Sequence, residues 1–166
     1  MSRHITSGAV ALRTATHDDR AMLGELITEG TDTAYRASPL YFLRLALDVQ
    51  PRESRAIVAV REGVVVGGAL FGSVAGAIGT GRIHFITVAS TARRLGIASR
   101  LCEAAVTDLS RRGARNVVVE LPDDPAFIGG GELLARCDFV EVARVPHYYR
   151  DGVALVVLHR AISLPE

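Results

Sequence analysis

The 166-residue chain has no lysine; all 19 of its basic Lys/Arg positions are arginine. No function is read from that choice. The missing charge excess says more: 18 acidic residues leave a net charge of +1, so no global basic field draws the chain to nucleic acid or an anionic membrane. The arginines are scattered and show no alternation with aromatics that would stack bases, so neither a nucleic-acid nor a membrane partner is expected. Cysteine is scarce. Cys102 and Cys137 have no CxxC partner and no histidine at zinc spacing, so packed, reduced thiols and no metal are expected. The opening "MSRHITSGAVALR" has no long apolar core of the signal-peptide kind, and a cytoplasmic protein is expected.

The length fits one domain spanning residues 1–166, and a composition of 49% apolar and 22% charged residues suits a globular protein. One uncharged run, "GVVVGGALFGSVAGAIGTG" from Gly63 to Gly81, is about long enough to span a bilayer. Its seven glycines cut it into strand-length pieces, so it reads as strand, turn, strand.

Along the chain, "AVALRTAT" (9–16) reads as a strand. Thr16 or Asp18 could cap a helix through "DDRAMLGELITEG", with Leu23, Leu26 and Ile27 as its apolar stripe. "SPLYFLRLALDV" is a second helical segment, with Ser38 as N-cap and Pro39 at its first position. "RAIVAVREGVVVGGALFG" is a hairpin turning at Glu62-Gly63, and "GRIHFITVAS" is a fourth strand. The next helix carries Ile97, Leu101, Ala105 and Leu109 on one side and stops near Gly113. "RNVVVEL" is a buried strand, "DDPAFIGGG" a loop and "GELLARCDF" a short helix. "FVEVARV" and "GVALVVLHRAI" close the chain as a hairpin. The predicted fold is α/β, a mixed sheet with helices on its faces.

The stretch "ARRLGIASRL" places two arginines and a glycine before a helix. A helix N-terminus presents unpaired N–H groups and about half a positive charge. With a glycine in the preceding turn, those amides can close around a phosphate. Arg93 would supply a forked donor, Gly96 a close backbone approach, and Ala98 a first turn free of bulk.

The run "ITVASTARRLGIASRL" resembles the acetyl-CoA-binding motif of the GNAT superfamily of N-acetyltransferases, V-x-P-x-x-[RQ]-x-x-G-x-[GA]. Val88, Arg93, Gly96 and Ala98 fall on its signature positions, and Ser90 stands where proline is usual. "VALRTATHDDRAML" resembles the family's opening strand and first helix, and the C-terminal "GELLARCDFVEVARVPHYYRDGVALVVLHRAI" its last helix and hairpin. The tract "EVARVPHYY" is similar to a bacterial subgroup whose acceptors are small amines or peptides.

The resemblance implies a mostly antiparallel central sheet whose fourth and fifth strands splay apart to admit the pantetheine arm of acetyl-CoA. Backbone groups around Ile86, Thr87 and Val88 would pair with that arm. Amides of Arg94, Leu95, Gly96, Ile97, Ala98 and Ser99 would hold the pyrophosphate. The Val88 N–H would serve as oxyanion donor. The acceptor, a small-molecule or peptide amine, needs a base. His84 lies where some members carry a catalytic histidine, four positions before Val88 and of the same side-chain parity; it also reads as a half-buried strand residue. Glu120, at the end of the fifth strand, lies where members that acetylate protein N-termini carry a glutamate, and is narrowly preferred.

Many members carry a tyrosine four residues before the glycine of a G-F pair, which protonates the leaving thiolate. Here that pair is Asp138-Phe139 and the tyrosine position holds Leu134, which donates nothing. Tyr148 and Tyr149 are the available substitutes, and otherwise form an aromatic lip. The alternative function is a non-catalytic acyl-CoA-binding domain. The segments 35–51 and 121–131 are expected to line the acceptor pocket. A homodimer is compatible with the resemblance.

Overall fold

The structure is a computed structural model that describes residues 8–49 and 52–162. Residues 1–7 and 50–51, which carry part of the N-terminal and acceptor-segment readings, lie outside the described residues. Seven strands form one sheet: β1 (Val10–Thr14), β2 (Ser54–Arg61), β3 (Val64–Ser73), β4 (Thr80–Val88), β5 (Asn116–Pro122), β6 (Val140–Arg150) and β7 (Val153–Ala161). Their order is β1-β2-β3-β4-β5-β7-β6, and only β4 and β5 run parallel. Local chemistry accounts for the β2–β3 turn: Glu62 and Gly63 both take left-handed φ (52° and 79°), as a two-residue hairpin loop between twisted strands requires.

Helices cover both faces. On one, α1 (Arg20–Gly30) and α2 (Ala37–Arg44) bury Leu23, Ile27 and Leu43 against Ala56, Val58 and Leu70. On the other, α3 (Ile97–Arg111) and α4 (Ile128–Arg136) cover Ala69, Phe71, Ile83, Val117 and Val119. The stripe read from α3 is real: Ile97, Leu101, Ala105 and Leu109 are all buried. Truncating Leu101 there to alanine costs about 2–5 kcal/mol in the usual range for a filled core.

The start of α1 is fixed by charge. Thr16 and Asp19 form a reciprocal capping box around a 3-10 turn at His17–Asp19. Arg13 grips both Asp19 oxygens at 2.7 and 2.8 Å. The Arg13 hydrogen bonds, outweighing burial, hold the Asp19 carboxyl down at about 2.

Two helix boundaries differ from the sequence reading. α2 starts at Ala37 with Arg36 as N-cap, so Ser38 lies inside the helix. A preceding 3-10 turn (Thr33–Tyr35), capped by the Asp32 side chain on the Ala34 amide, feeds directly into it. Pro39 is tolerated because its missing N–H belongs to the first turn, where no carbonyl awaits it. α4 starts at Ile128, three residues early, so Gly129, Gly130 and Gly131 are helical rather than loop. Pro125 and the Asp124 cap on the Ala126 amide nucleate the turn before it, and Leu121 packs under Gly130.

Candidate active site

The parallel ladder of β4 and β5 is short, from Thr80 opposite Asn116 to Ile83 opposite Val119. Beyond that, β4 stays with β3 as far as Val88, and β5 stays with β7 as far as Pro122. The two strands therefore part, and His84–Val88 have no strand partner on the β5 side. A cavity of about 330 Å³ fills the gap. Its walls come from both faces of the sheet: Leu133 and Leu134 of α4 on one, Tyr35 and Pro39 on the other.

Ladder alternation decides which β4 groups face that gap. The Ala89 N–H donates to the Val66 carbonyl at 2.8 Å, toward β3. The N–H groups of Val88 and Ile86 therefore point the opposite way, into the gap, while those of Thr87 turn to β3. The Thr87 side chain is occupied as well, donating to the Leu26 carbonyl at 3.3 Å.

At the end of β4 a 3-10 turn (Ser90–Ala92) leads to α3, with Ser90 at its first position, where proline also fits. Arg94 (φ 63°) and Gly96 (φ 70°) are left-handed, and Gly96 is the N-cap of α3, with no side chain capping the helix. A Cβ on Gly96 would meet open space. Arg93, Arg94, Leu95 and Gly96 are exposed, Ala98 and Ser99 half-buried and Ile97 buried; neither arginine makes an ion pair among the described residues. Free amides, a left-handed turn and unpaired guanidiniums fit a phosphate group.

The polar groups of the gap lie on the α1/α2 face. Val117 and Val119 point into the α3/α4 core, so alternation sends Glu120 to the opposite face. Glu120 does not end the fifth strand as expected. β5 runs on to Pro122, and the Glu120 Oε1 forms an ion pair with Arg82 Nη2 at 2.9 Å. Arg82 went unnoticed in the sequence because only the parallel register brings it to Glu120.

His84 corrects another expectation. Leu70 pairs with Phe85 but Phe71 pairs with Ile83, so His84 is the extra residue of a β-bulge. The bulge breaks the parity assumed with Val88. Val88 packs toward α3, whereas His84 lies flat on Phe42 of α2. Burial, with the Arg82 charge as a lesser cause, lowers its imidazole to about 4.

A second irregularity aims a tyrosine. Between Val145 (opposite Leu155) and Arg150 (opposite Val153), residues 146–149 leave the β6–β7 ladder, with His147 left-handed at φ 55°. Tyr149 thereby lines the cavity, while Tyr148 does not and is 57% exposed. Burial first, and the Glu120 charge second, push the Tyr149 phenol up to about 12. Both segments expected at the acceptor pocket contribute. The Tyr35 hydroxyl donates to Asp124 Oδ2 at 2.9 Å, Arg150 donates to the same oxygen at 2.6 Å, and the Tyr35 ring meets Phe127 and Tyr149 edge-on. The Ala126 amide, then Arg150 and Tyr35, hold the Asp124 carboxyl below its usual range.

The acetyltransferase (GNAT) family matches residues 20–128, from α1 to the start of α4. The chain belongs to that family. It is thus an N-acetyltransferase by family, with the family's mixed sheet. Solved structures share the fold over nearly the whole length. A GNAT-family protein from Desulfovibrio desulfuricans is 19% identical, over 93% of this chain and 100% of its own, with a TM-score of 0.84. YncA from Salmonella typhimurium, solved with its cofactor acetyl-CoA, is 17% identical over 95% and 98%, with a TM-score of 0.73. The ribosomal-protein-alanine N-acetyltransferase from Brucella melitensis is 20% identical over 92% and 99%, with a TM-score of 0.69. No curated protein matches the chain in sequence.

Within this acetyltransferase, Leu134 is buried in the cavity wall and presents an apolar surface there. Asp138, at the usual glycine of the G-F pair, is left-handed (φ 62°), which explains the glycine preference and shows aspartate filling it. Among the described residues no group of three His, Cys, Asp or Glu could hold a metal ion, and no helix is long and apolar enough to cross a membrane.

Proposed function

We propose that the protein transfers an acetyl group from acetyl-CoA to the primary amine of a small molecule or peptide, by direct attack of the amine on the thioester. The observation that carries this reading is the parting of β4 from β5, with the Val88 N–H aimed into the gap. The unpaired β4 backbone around Ile86, Thr87 and Val88 binds the pantetheine arm as an added strand, mainly through Ile86 and Val88. Arg93 and the amides from Arg94 to Ser99 hold the pyrophosphate at the start of α3. Acetyl-CoA thus enters from the α3 side and the acceptor from the face that carries Glu120, Tyr35 and Tyr149.

Acetyl transfer forms a C–N bond and breaks a C–S bond; the ammonium sheds two protons, one before attack and one as the tetrahedral adduct collapses, and the second makes good the proton that the sulfur takes up. Glu120 accepts a proton from the incoming ammonium, directly or through water, and its charge attracts that cation. Val88 N–H donates to the carbonyl oxygen as it gains negative charge. Tyr149 stays protonated at neutral pH and gives its proton to the departing thiolate, the role Leu134 vacates. His84, uncharged and stacked, serves as packing. Support for a peptide acceptor comes from the Glu120 position and from the subgroup likeness of the "EVARVPHYY" tract. The competing reading, a non-catalytic acyl-CoA-binding domain, rests on Leu134 and Asp138, and Asp138 takes the left-handed backbone that a glycine would take.

The deciding experiment measures free CoA release from acetyl-CoA with a panel of primary amines that includes peptides with free N-termini. Turnover with at least one amine is expected. Saturable acetyl-CoA binding with no CoA release from any amine supports the non-catalytic domain instead.

A further inference from the structure

The ion pair between Arg82 and Glu120 spans the point where the sheet opens. Arg82 lies in the last paired stretch of β4, opposite Val118, and one residue later the β4–β5 ladder ends. Glu120 is the first β5 residue beyond the ladder. The guanidinium therefore reaches across the crotch from the rigid side to the open side. Its Nε is buried with no hydrogen-bond partner, and its Nη2 contacts Glu120 Oε1 at 2.9 Å. The ion pair thus holds one of the two carboxylate oxygens.

The groups around this pair come from three elements. His84 shares β4, Tyr148 and Tyr149 come from the β6 bulge, and Tyr35 comes from the turn before α2. His84 and Tyr149 both lie within the electrostatic reach of Arg82. One cation thus pairs with the carboxylate and opposes protonation of the imidazole.

We propose that Arg82 is the positioning residue of this acetyltransferase, the group that aims the Glu120 carboxylate into the strand gap and leaves His84 outside the proton path. The proposal rests on the reading of Glu120 as proton acceptor. Arg82 touches neither acceptor nor thioester and acts through Glu120. A plain interstrand staple would also stabilise the sheet, so loss of stability on mutation decides nothing.

The test is a cycle of Arg82→Met, Glu120→Gln and the double variant, with Arg82→Lys as the conservative control. Rates are read by CoA release with the panel amine turned over fastest. Expected is a fall in kcat of roughly tenfold or more for Arg82→Met, with the KM for acetyl-CoA held within about twofold. Partial recovery in Arg82→Lys and no further loss when Arg82→Met is added to Glu120→Gln are also expected. Multiplicative losses in the double variant overturn the proposal, as does an acetyl-CoA KM that rises in step with the fall in kcat. If Glu120→Gln alone turns over normally, the base assignment fails, and the positioning role fails with it. No turnover with any amine sinks the acetyl-transfer reading itself. A crystal structure of Arg82→Met needs no acceptor: Glu120 should swing out of the gap, and a carboxylate still in place overturns the proposal.

Discussion

The imidazole of His84 and the ring of Phe42 are stacked face to face, with centroids 3.5 Å apart and 7° between planes. This contact joins the bulge of β4 to α2 and places the histidine in an apolar setting. Protonating it puts a charge into that setting, beside Arg82.

The first prediction follows from that charge. The folded-state value of His84, about 4, is below its ordinary 6.5, so between these values the unfolded chain binds the extra proton. Stability contributed by neutral His84 is present above about pH 6.5 and is lost as pH falls toward about 4. Asp19 acts in a lower window, its contribution lost as pH falls from 3.8 toward about 2. Melting temperature against pH should therefore decline in two stages, and His84→Gln should remove much of the upper one. An unchanged upper stage in that variant contradicts the assignment.

Glu120→Gln keeps shape and removes charge. We expect kcat/KM to fall by about 10²-fold or more, with acetyl-CoA affinity nearly unchanged, and His84→Gln to have a small effect on turnover. Normal turnover in Glu120→Gln together with inactivity in His84→Gln would hand the proton to the histidine.

Tyr149→Phe should lower kcat while Tyr148→Phe stays near wild type, because only Tyr149 lines the cavity. Steady-state kinetics on the two variants make the comparison, and equal losses would reduce both tyrosines to an aromatic lip.

Gly96→Glu should abolish acetyl-CoA binding. No clash drives this, since a Cβ there meets open space; a left-handed φ of 70° and a carboxylate facing the phosphates do. Thermal-shift titration reports it, because a ligand selective for the folded state raises its stability. Retained cofactor affinity would refute the pyrophosphate site.

Arg93→Ala should weaken acetyl-CoA binding by roughly tenfold or more, the equivalent of one charge-assisted hydrogen bond, and Arg94→Ala by less. Equal losses in a direct titration would indicate diffuse attraction in place of a forked contact.

What could be read from sequence was whatever repeats along one segment. The α3 stripe, the Glu62-Gly63 turn and the Arg93-to-Ala98 string are local patterns, and each lies where its spacing placed it. The misplaced features depend on pairing. His84 changes face because β4 holds one residue more than β3 across the bulge, and no count along β4 alone reveals that. Arg82 meets Glu120 through a parallel register 38 positions apart in sequence, which hydrophobic pattern does not specify. The α4 boundary failed for another reason: three consecutive glycines argue against helix, and the Asp124-Pro125 start and the packing of Leu121 prevail.

Those three glycines bear on how the cavity wall behaves. Each is less favourable in a helix than alanine by about 0.8–1.0 kcal/mol, so the first turn of α4 holds its shape through its surroundings, not by its own preference. Leu133 and Leu134 hang from the next turn of that helix. This wall of the cavity thus rests on a turn with little helical preference of its own, and exchange of its amide hydrogens should outpace that of β4 across the gap. An acceptor too wide for a cavity of about 330 Å³ would find its extra room there.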